Sequence, residues 1–238
     1  MKYMGSKARF AKEILNVISS YVETKDKTLV EPFAGGMNFT SAAKVYFKSR
    51  IANDVNPYLI AMWKALQEGW VPPESISKEF YLQCKVGDCK DHERGYVGFN
   101  CSYSGKWFGG YAGVTQTKSG VRDYQKEAFK NVTEQLIDMQ DVYLSCKPYS
   151  EIDIPINSVV YCDPPYFGTT KYKDDFDHNA FWTWVRDISK SHLVFVSEYT
   201  APEDFKCIWE KSAKSSLSAN GKSGGNKESV ERLFILNS

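Results

Sequence analysis

Apolar positions along the chain recur at two periods, one helical and one that of buried strands. Phe10, Ile14, Leu15, Val17 and Ile18 keep helical spacing after a polar opening, KYMGSK (2–7), so a glycine-containing loop feeds a helix N-terminus. TLVEPFAGGM (28–37) predicts a short strand followed by a glycine-rich corner, after which Asn38 caps a helix through Ala42, Ala43, Val45 and Phe47. In RIANDVNP (50–57), Ile51 and Ala52 predict a second strand that Asp54 ends. Asn56-Pro57 then caps a helix through Leu59, Met62, Trp63 and Leu66 to Gly69. Apolar periodicity fades from about 70 to 123 and returns over 124–140, with Phe129, Val132, Leu136 and Ile137. DVYLSCKPY (141–149) predicts a third strand and VVYC (159–162) a fully buried one. A helix capped by Asp177 and carrying Phe181, Trp184, Val185 and Ile188 follows. HLVFVSEY (192–199) predicts another buried strand, and VERLFILN (230–237) the one that closes the sheet. Strands alternating with helices predict an α/β fold with a mostly parallel, doubly wound sheet, built from residues 1–69 and 124–238 and interrupted by an insertion at 70–123.

Composition narrows this picture only slightly. The 238 residues are 42% hydrophobic, enough for a core, and the formal net charge is +1. A near-neutral total neither supports nor excludes nucleic acid, so any affinity for it must come from local clustering of Lys and Arg. Cys84, Cys89, Cys101, Cys146, Cys162 and Cys207 lack C-x-x-C spacing, and His92, His178 and His192 are scattered, so no metal pattern is expected. MKYMGSKARF lacks the apolar run of a signal peptide and no stretch approaches the ~20 apolar residues of a membrane span. A cytoplasmic protein with reduced thiols is the expectation; oligomeric state stays open.

The chemistry concentrates at VVYCDPPY (159–166), a strand that stops at a carboxylate, two prolines and a tyrosine. In an open α/β sheet, ligands bind at the carboxyl ends of strands. Neither Pro164 nor Pro165 has an N–H, and each forces the preceding residue out of the helical region. Asp163 and a nearby carbonyl together accept both hydrogens of a planar –NH2 group, and Tyr166 offers a face on which its ring can stack. Upstream, the strand, glycine corner and helix at 28–47 form the opening unit of a nucleotide-type fold, where glycines allow close backbone approach. Asp54 follows Gly35 by about 20 positions, the spacing at which an acid at the end of the second strand meets ribose hydroxyls; it also suits an ordinary turn.

These residues, in this order, resemble the Dam-type DNA adenine methyltransferases of the Asp-Pro-Pro-Tyr class. The resemblance implies a Rossmann-like class I methyltransferase sheet with a small inserted target-recognition domain. It also implies S-adenosylmethionine as methyl donor and double-stranded DNA as partner. Asp163, Pro164, Pro165 and Tyr166 fall on the catalytic motif. Tyr3, Lys7, Phe33, Gly35, Asp54 and Asp163 fall on cofactor-binding positions. The last glycine of the family's Phe-x-Gly-x-Gly loop is replaced by Met37, with Gly36 beside it, and the Gly-Gly pair still permits positive φ at two sites.

The function so implied is methylation of the 6-amino group of a flipped adenine, with Asp163 and the Pro164 carbonyl drawing the nitrogen toward sp3. Two alternatives stay open: methylation of the 4-amino group of cytosine, whose enzymes more often carry Ser in place of Asp163, and a catalytically inactive DNA-binding decoy. FNCSYSGKWFGGYAGVTQTKSGVR (99–122) interleaves aromatics with Lys106, Lys118 and Arg122, and FNCSY resembles the family's recognition pattern. Tyr103, Lys106 and Arg122 are therefore candidate DNA contacts, although the aromatics could equally pack internally. Residues 211–227 carry Lys211, Lys214, Lys222 and Lys227 without an acid, as a flexible loop or a phosphate-contacting arm.

Overall fold

The computed structural model describes residues 1–117, 120–167, 176–214 and 228–237. The chain runs through α1 (Ala11–Tyr21), β1 (Thr28–Glu31), α2 (Asn38–Ala42), β2 (Ser49–Asn53) and α3 (Pro57–Gln67). Helices α4 (Lys78–Val86) and α5 (Asp91–Asn100) come next, then the hairpin of β3 (Val114–Thr117) and β4 (Gly120–Asp123). The remainder is α6 (Tyr124–Met139), β5 (Tyr143–Ser145), β6 (Ser158–Cys162), α7 (His178–Ile188), β7 (Leu193–Glu198), β8 (Phe205–Lys214) and β9 (Glu228–Leu236).

Seven strands form one Rossmann-like sheet in the order β5-β2-β1-β6-β7-β9-β8. The five from β5 to β7 are parallel, while β9 runs antiparallel to both β7 and β8. This is the mostly parallel α/β sheet that the hydrophobic pattern predicts. β6 is buried along its whole length because both faces are covered. Val159 and Tyr161 join the cluster under α1, whereas Val160 and Cys162 join the one under α7. From β1 the chain works outward through β2 to β5, and from β6 it works the other way. The carboxyl ends of β1 and β6 therefore border the crevice where the strand order reverses.

Three helical details depart from expectation. Asn38 does not cap α2: Met37 holds that place, and the Asn38 amide donates to the Met1 carbonyl at 3.2 Å and Ser6 Oγ at 2.9 Å. α2 ends at Ala42 and continues only as a 3-10 turn, which leaves Val45 exposed. In α6, Gln125 and Gln135 take buried positions while Ile137 faces solvent. The glutamines are held inward by backbone partners, since Gln135 Nε2 donates to the Gly36 carbonyl at 3.0 Å and Gln125 Oε1 accepts the Ile76 N–H at 2.7 Å.

The stretch from 70 to 123 is more regular than its faded periodicity suggests. α5 packs closely on α3, and Tyr96, Val97 and Phe99 share a core cluster with Leu59, Met62 and Trp63. Gly95 makes the closest approach, and a residue without a side chain adds nothing to an apolar stripe. Strand β8 was also unforeseen, so Lys211 and Lys214 belong to a strand and not to a loop. β8 is the sheet edge, mixes polar with apolar residues and has an irregularity between Cys207 and Trp209, so it lacks the run of a buried strand. Lys118, residues 168–175, Lys222 and Lys227 lie outside the described residues.

The α3–α5 contact supplies a test. A Cβ on Gly95 would lie 2.1 Å from the Tyr58 carbonyl oxygen, a backbone atom that cannot swing aside. Gly95→Ala is therefore expected to lose ~1–3 kcal/mol to overpacking, read as a lower urea midpoint. An unchanged midpoint would mean that the two helices separate without cost.

Candidate active site

The glycine corner after β1 is fixed from three sides. Gly35 takes φ +48°, as its place in the corner requires. The second positive φ falls on Met37, at +56°, and not on Gly36. A non-glycine residue there costs about 1–3 kcal/mol. Full burial of the Met37 side chain and its N–H bond to the Ala34 carbonyl, 2.7 Å, hold the conformation. Tyr3 lies directly over the corner: a Cβ on Gly35 would come within 2.7 Å of Tyr3 Cε1, and one on Gly36 within 2.5 Å of Tyr3 Cβ. Only glycine leaves that ring room.

Asp54 closes the corner from the end of β2. Its Oδ2 accepts the Gly35 N–H at 2.8 Å and its Oδ1 accepts the Asn56 N–H at 2.9 Å. Burial raises its pKa, opposed by these two amide hydrogen bonds. Each oxygen keeps a second lone pair, so the acid that shapes the loop can also accept a hydroxyl. Buried Asn53 cross-ties the neighbouring strand ends: its Nδ2 donates to the Pro32 carbonyl at 3.0 Å and the Lys147 carbonyl at 2.9 Å, and its Oδ1 accepts the Lys147 N–H at 3.0 Å.

The Asp-Pro-Pro-Tyr corner gathers charge. Lys7 Nζ stands 3.1 Å from Asp163 Oδ1 and 3.5 Å from Glu231 Oε2, and lies 4.3 Å from the centre of the Tyr166 ring. Tyr166 donates its hydroxyl to Glu231 Oε2 at 2.8 Å. Asp163 Oδ1 is buried and, despite the nearby ammonium, accepts no hydrogen bond of proper angle among the described residues. Burial raises the Asp163 pKa, and the Lys7 charge offsets part of that rise. For Lys7, burial disfavours the charge, but Asp163 and Glu231 outweigh it and the pKa ends above its ordinary value. The structure thus brings Lys7, Asp163 and Tyr166 together, as it does Tyr3, Gly35 and Asp54.

The other expected residues sit differently. Phe33 turns into an aromatic cluster with Tyr149, Phe176 and Phe181, at ring separations of 5.2, 5.8 and 5.7 Å. Tyr103 and Lys106 are exposed on a turn that packs against the opening segment, where the Met4 N–H meets the Gly105 carbonyl at 3.4 Å. Arg122 engages Glu127 through two nitrogens, at 2.7 and 2.8 Å, and stacks on Tyr124. Glu127 also accepts from Lys2 at 2.7 Å. That fork is committed within the protein.

Three acids escaped sequence reasoning: Glu31, Glu198 and Glu231. Glu31 and Glu198 each end a largely apolar strand, and that mismatch was the available signal; Glu231, beside Arg232, gave none. Glu198, 1% exposed, accepts the Phe167 N–H at 2.7 Å and the Tyr199 N–H at 2.6 Å, and so pins the chain just after Tyr166. Glu31 is buried beneath the glycine corner, where it accepts the Thr40 hydroxyl. Burial lifts its pKa well above the ordinary value, with the Thr40 hydrogen bond opposing.

Glu31 gives a pH prediction. An acid with a raised folded-state pKa holds its proton where the unfolded chain has lost it. Its contribution therefore falls as pH rises past the ordinary glutamate value of about 4.3 toward the folded one. Glu31→Gln keeps an acceptor for Thr40 and removes the titration. It is expected to flatten the decline in melting temperature above that pH and to melt higher than wild type on the alkaline side. Parallel melting curves across pH would refute a buried, raised Glu31.

Among the described residues, no helix is long and apolar enough to cross a membrane and no group of His, Cys, Asp or Glu is arranged to hold a metal. No curated protein matches the chain. Solved structures similar in fold include the N-methyltransferase NodS from Bradyrhizobium japonicum, 7% identical, with TM-score 0.46 over 97% of this chain and 96% of that one. A dimethyladenosine transferase from Plasmodium falciparum is 9% identical, with TM-score 0.44 over 95% and 62%. An rRNA methylase from Streptococcus thermophilus is 7% identical, with TM-score 0.42 over 98% of both. The family whose model matches is the D12 class N6 adenine-specific DNA methyltransferase, over residues 3–96, the stretch that carries Tyr3, Lys7, the glycine corner and Asp54.

Proposed function

We propose that this protein transfers a methyl group from S-adenosylmethionine to the exocyclic 6-amino group of an adenine in DNA. The observation that carries the reading is Asp163 Oδ1: a buried carboxylate oxygen that meets the Lys7 ammonium at 3.1 Å, at the crevice that also holds the glycine corner and Asp54. The residues present fit the donor. Gly35 and Gly36 seat the Tyr3 ring at the corner, Asp54 retains lone pairs for ribose hydroxyls, and the carboxylates of the crevice suit a cationic centre. When bound, S-adenosylmethionine supplies a methyl group on a sulfonium sulfur.

The chain's own residues act on the amino group. Its lone pair is delocalised into the purine, which makes the nitrogen a poor nucleophile. Asp163 Oδ1 and the Pro164 carbonyl accept its two hydrogens and turn the lone pair out of the ring plane. Positive charge that grows on the nitrogen is stabilised by the Asp163 carboxylate; the donor's C–S bond breaks as the N–C bond forms, the sulfur leaves as a neutral thioether, and the methylated nitrogen then loses one proton to water. Glu198 keeps the corner in place by holding the Phe167 and Tyr199 amides. The adenine leaves the duplex to reach this pocket, and stacking on Tyr166 offsets part of the few kcal/mol of unstacking. Residues 70–123 form the target-recognition insertion on this reading, with Tyr103 and Lys106 on its exposed surface. The Arg122 fork, held by Glu127, orders the hairpin.

Mass spectrometry of nucleosides from DNA incubated with protein and S-adenosylmethionine is the direct test, with N6-methyladenine as the expected product. N4-methylcytosine would move the specificity to the alternative base, and no methylated nucleoside would leave a DNA-binding decoy. Asp163→Ala is expected to lower turnover about 100- to 1000-fold, the cost of ~2.7–4 kcal/mol of lost electrostatic stabilisation, with the fold retained. Wild-type turnover in that variant would sink the mechanism.

Asp54→Ala is expected to weaken S-adenosylmethionine binding by roughly 1.5–3 kcal/mol, with a smaller effect on DNA affinity. Calorimetry that finds unchanged cofactor affinity would confine Asp54 to shaping the loop.

A further inference from the structure

Glu231 is a largely enclosed acid that the mechanism above does not use. It lies on β9, the antiparallel strand inserted between β7 and β8, far in sequence from both Lys7 and Asp163. Its flanks are firmly paired: Arg232 lies opposite Glu198 on one side, and Glu231 itself lies opposite Lys211 on the other. Lys211 ion-pairs with Glu13, so the cation that Glu231 meets is Lys7. The side chain is 13% exposed. One oxygen, Oε2, both accepts the Tyr166 hydroxyl at 2.8 Å and stands 3.5 Å from Lys7 Nζ.

This geometry bears on a conflict within the proposed site. Lys7 stands 3.1 Å from Oδ1 of Asp163, the oxygen that accepts an amino hydrogen. As the amino nitrogen attacks, it gains positive charge, and an ammonium held on Asp163 both repels that charge and neutralises the carboxylate meant to stabilise it. Lys7 is buried and cannot relieve the conflict by turning to water. A shift of about 0.7 Å would bring it to hydrogen-bond distance from Glu231. We propose that Glu231 is a positioning residue of the methyl-transfer site, which draws Lys7 off Asp163 when the target base enters and holds Tyr166 by its hydroxyl. The inference rests on the functional reading above.

Glu231→Gln is the discriminating variant. Its amide oxygen still accepts the Tyr166 hydroxyl, but it offers Lys7 no charge. Turnover is expected to fall about 10- to 100-fold, with KM for DNA and for S-adenosylmethionine within about threefold of wild type. Glu231→Asp restores part of the rate, because it restores the charge. The groups that face Lys7 are Asp163 and Tyr166 from the end of β6, Glu231 from β9 and Glu198 from β7. In Glu231→Gln the rate should climb with pH as Lys7 loses its proton and releases Asp163, and wild type should show no such climb. Adding Lys7→Arg, which stays charged throughout this range, should abolish the recovery.

Melting temperatures within a few degrees of wild type establish that the variants fold. A Glu231→Gln enzyme as fast as wild type overturns the inference. So does a loss of turnover that Glu231→Asp shares in full and that pH does not relieve, because a structural role alone gives that result. Wild-type protein that methylates no DNA would remove the functional reading and this inference with it, whereas an active wild type beside an equally active Glu231→Gln removes this inference alone.

Discussion

The candidate site depends on one buried ammonium. Glu31, Asp54, Asp163, Glu198 and Glu231 come from five places in the chain and converge on the carboxyl edge of one sheet. Carboxylates so close would drive up one another's pKa values and push strands apart unless protonated, hydrogen-bonded or paired. Each is managed differently. Asp54 and Glu198 accept backbone N–H groups, Glu31 is favoured in its protonated form by burial, and Asp163 and Glu231 share Lys7. With Lys7 removed, two largely enclosed acids would stand beside Tyr166 without the cation they share.

Sheet topology makes this convergence unavoidable. Ligand chemistry in an open parallel sheet sits where strand order reverses, and here that crevice lies between β1 and β6. β1 contributes the glycine corner and β6 contributes Asp163. β7 adds Glu198, and the antiparallel β9 adds Glu231. Lys7 reaches the crevice only because its segment is anchored: Tyr3 packs on two glycines, Ser6 Oγ accepts from Asn38, and Met4 meets Gly105. A loop preceding a helix thus becomes one wall of the site.

Much of this was legible in the sequence because it is local. The runs that form β1, β6 and β7 are buried on both faces, so hydrophobic content alone marks them; Gly35 follows β1 and Asp163 follows β6, while Asp54 stands at the end of β2. Contacts that depend on partners distant in sequence were not legible. α5 meets α3 through Gly95, whose role is the absence of a side chain and leaves no hydrophobic signal. β8 is an edge strand with one face's worth of pattern, broken by an irregularity. Arg122 reads as a DNA contact until Glu127, five residues on, is seen to occupy its fork. Met37 occupies a left-handed position for which sequence preference points to glycine, and full burial of its side chain together with its N–H bond to Ala34 holds it there.

The same reasoning explains why Glu231 was invisible and Asp163 was not. Asp163 sits in a tetrapeptide whose two prolines and tyrosine are unusual together, so its neighbours in sequence announce it. Glu231 has Val230 and Arg232 as neighbours and reads as an ordinary outward position of a closing strand. Its partners, Tyr166 and Lys7, lie 65 and 224 positions away, and only the pairing of β9 against β7 and β8 brings them within reach. Charge placed by topology carries no local signature. An acid in an apolar strand is costly unless something offsets it, so each such acid is a reason to look across the sheet for the cation or donor that does.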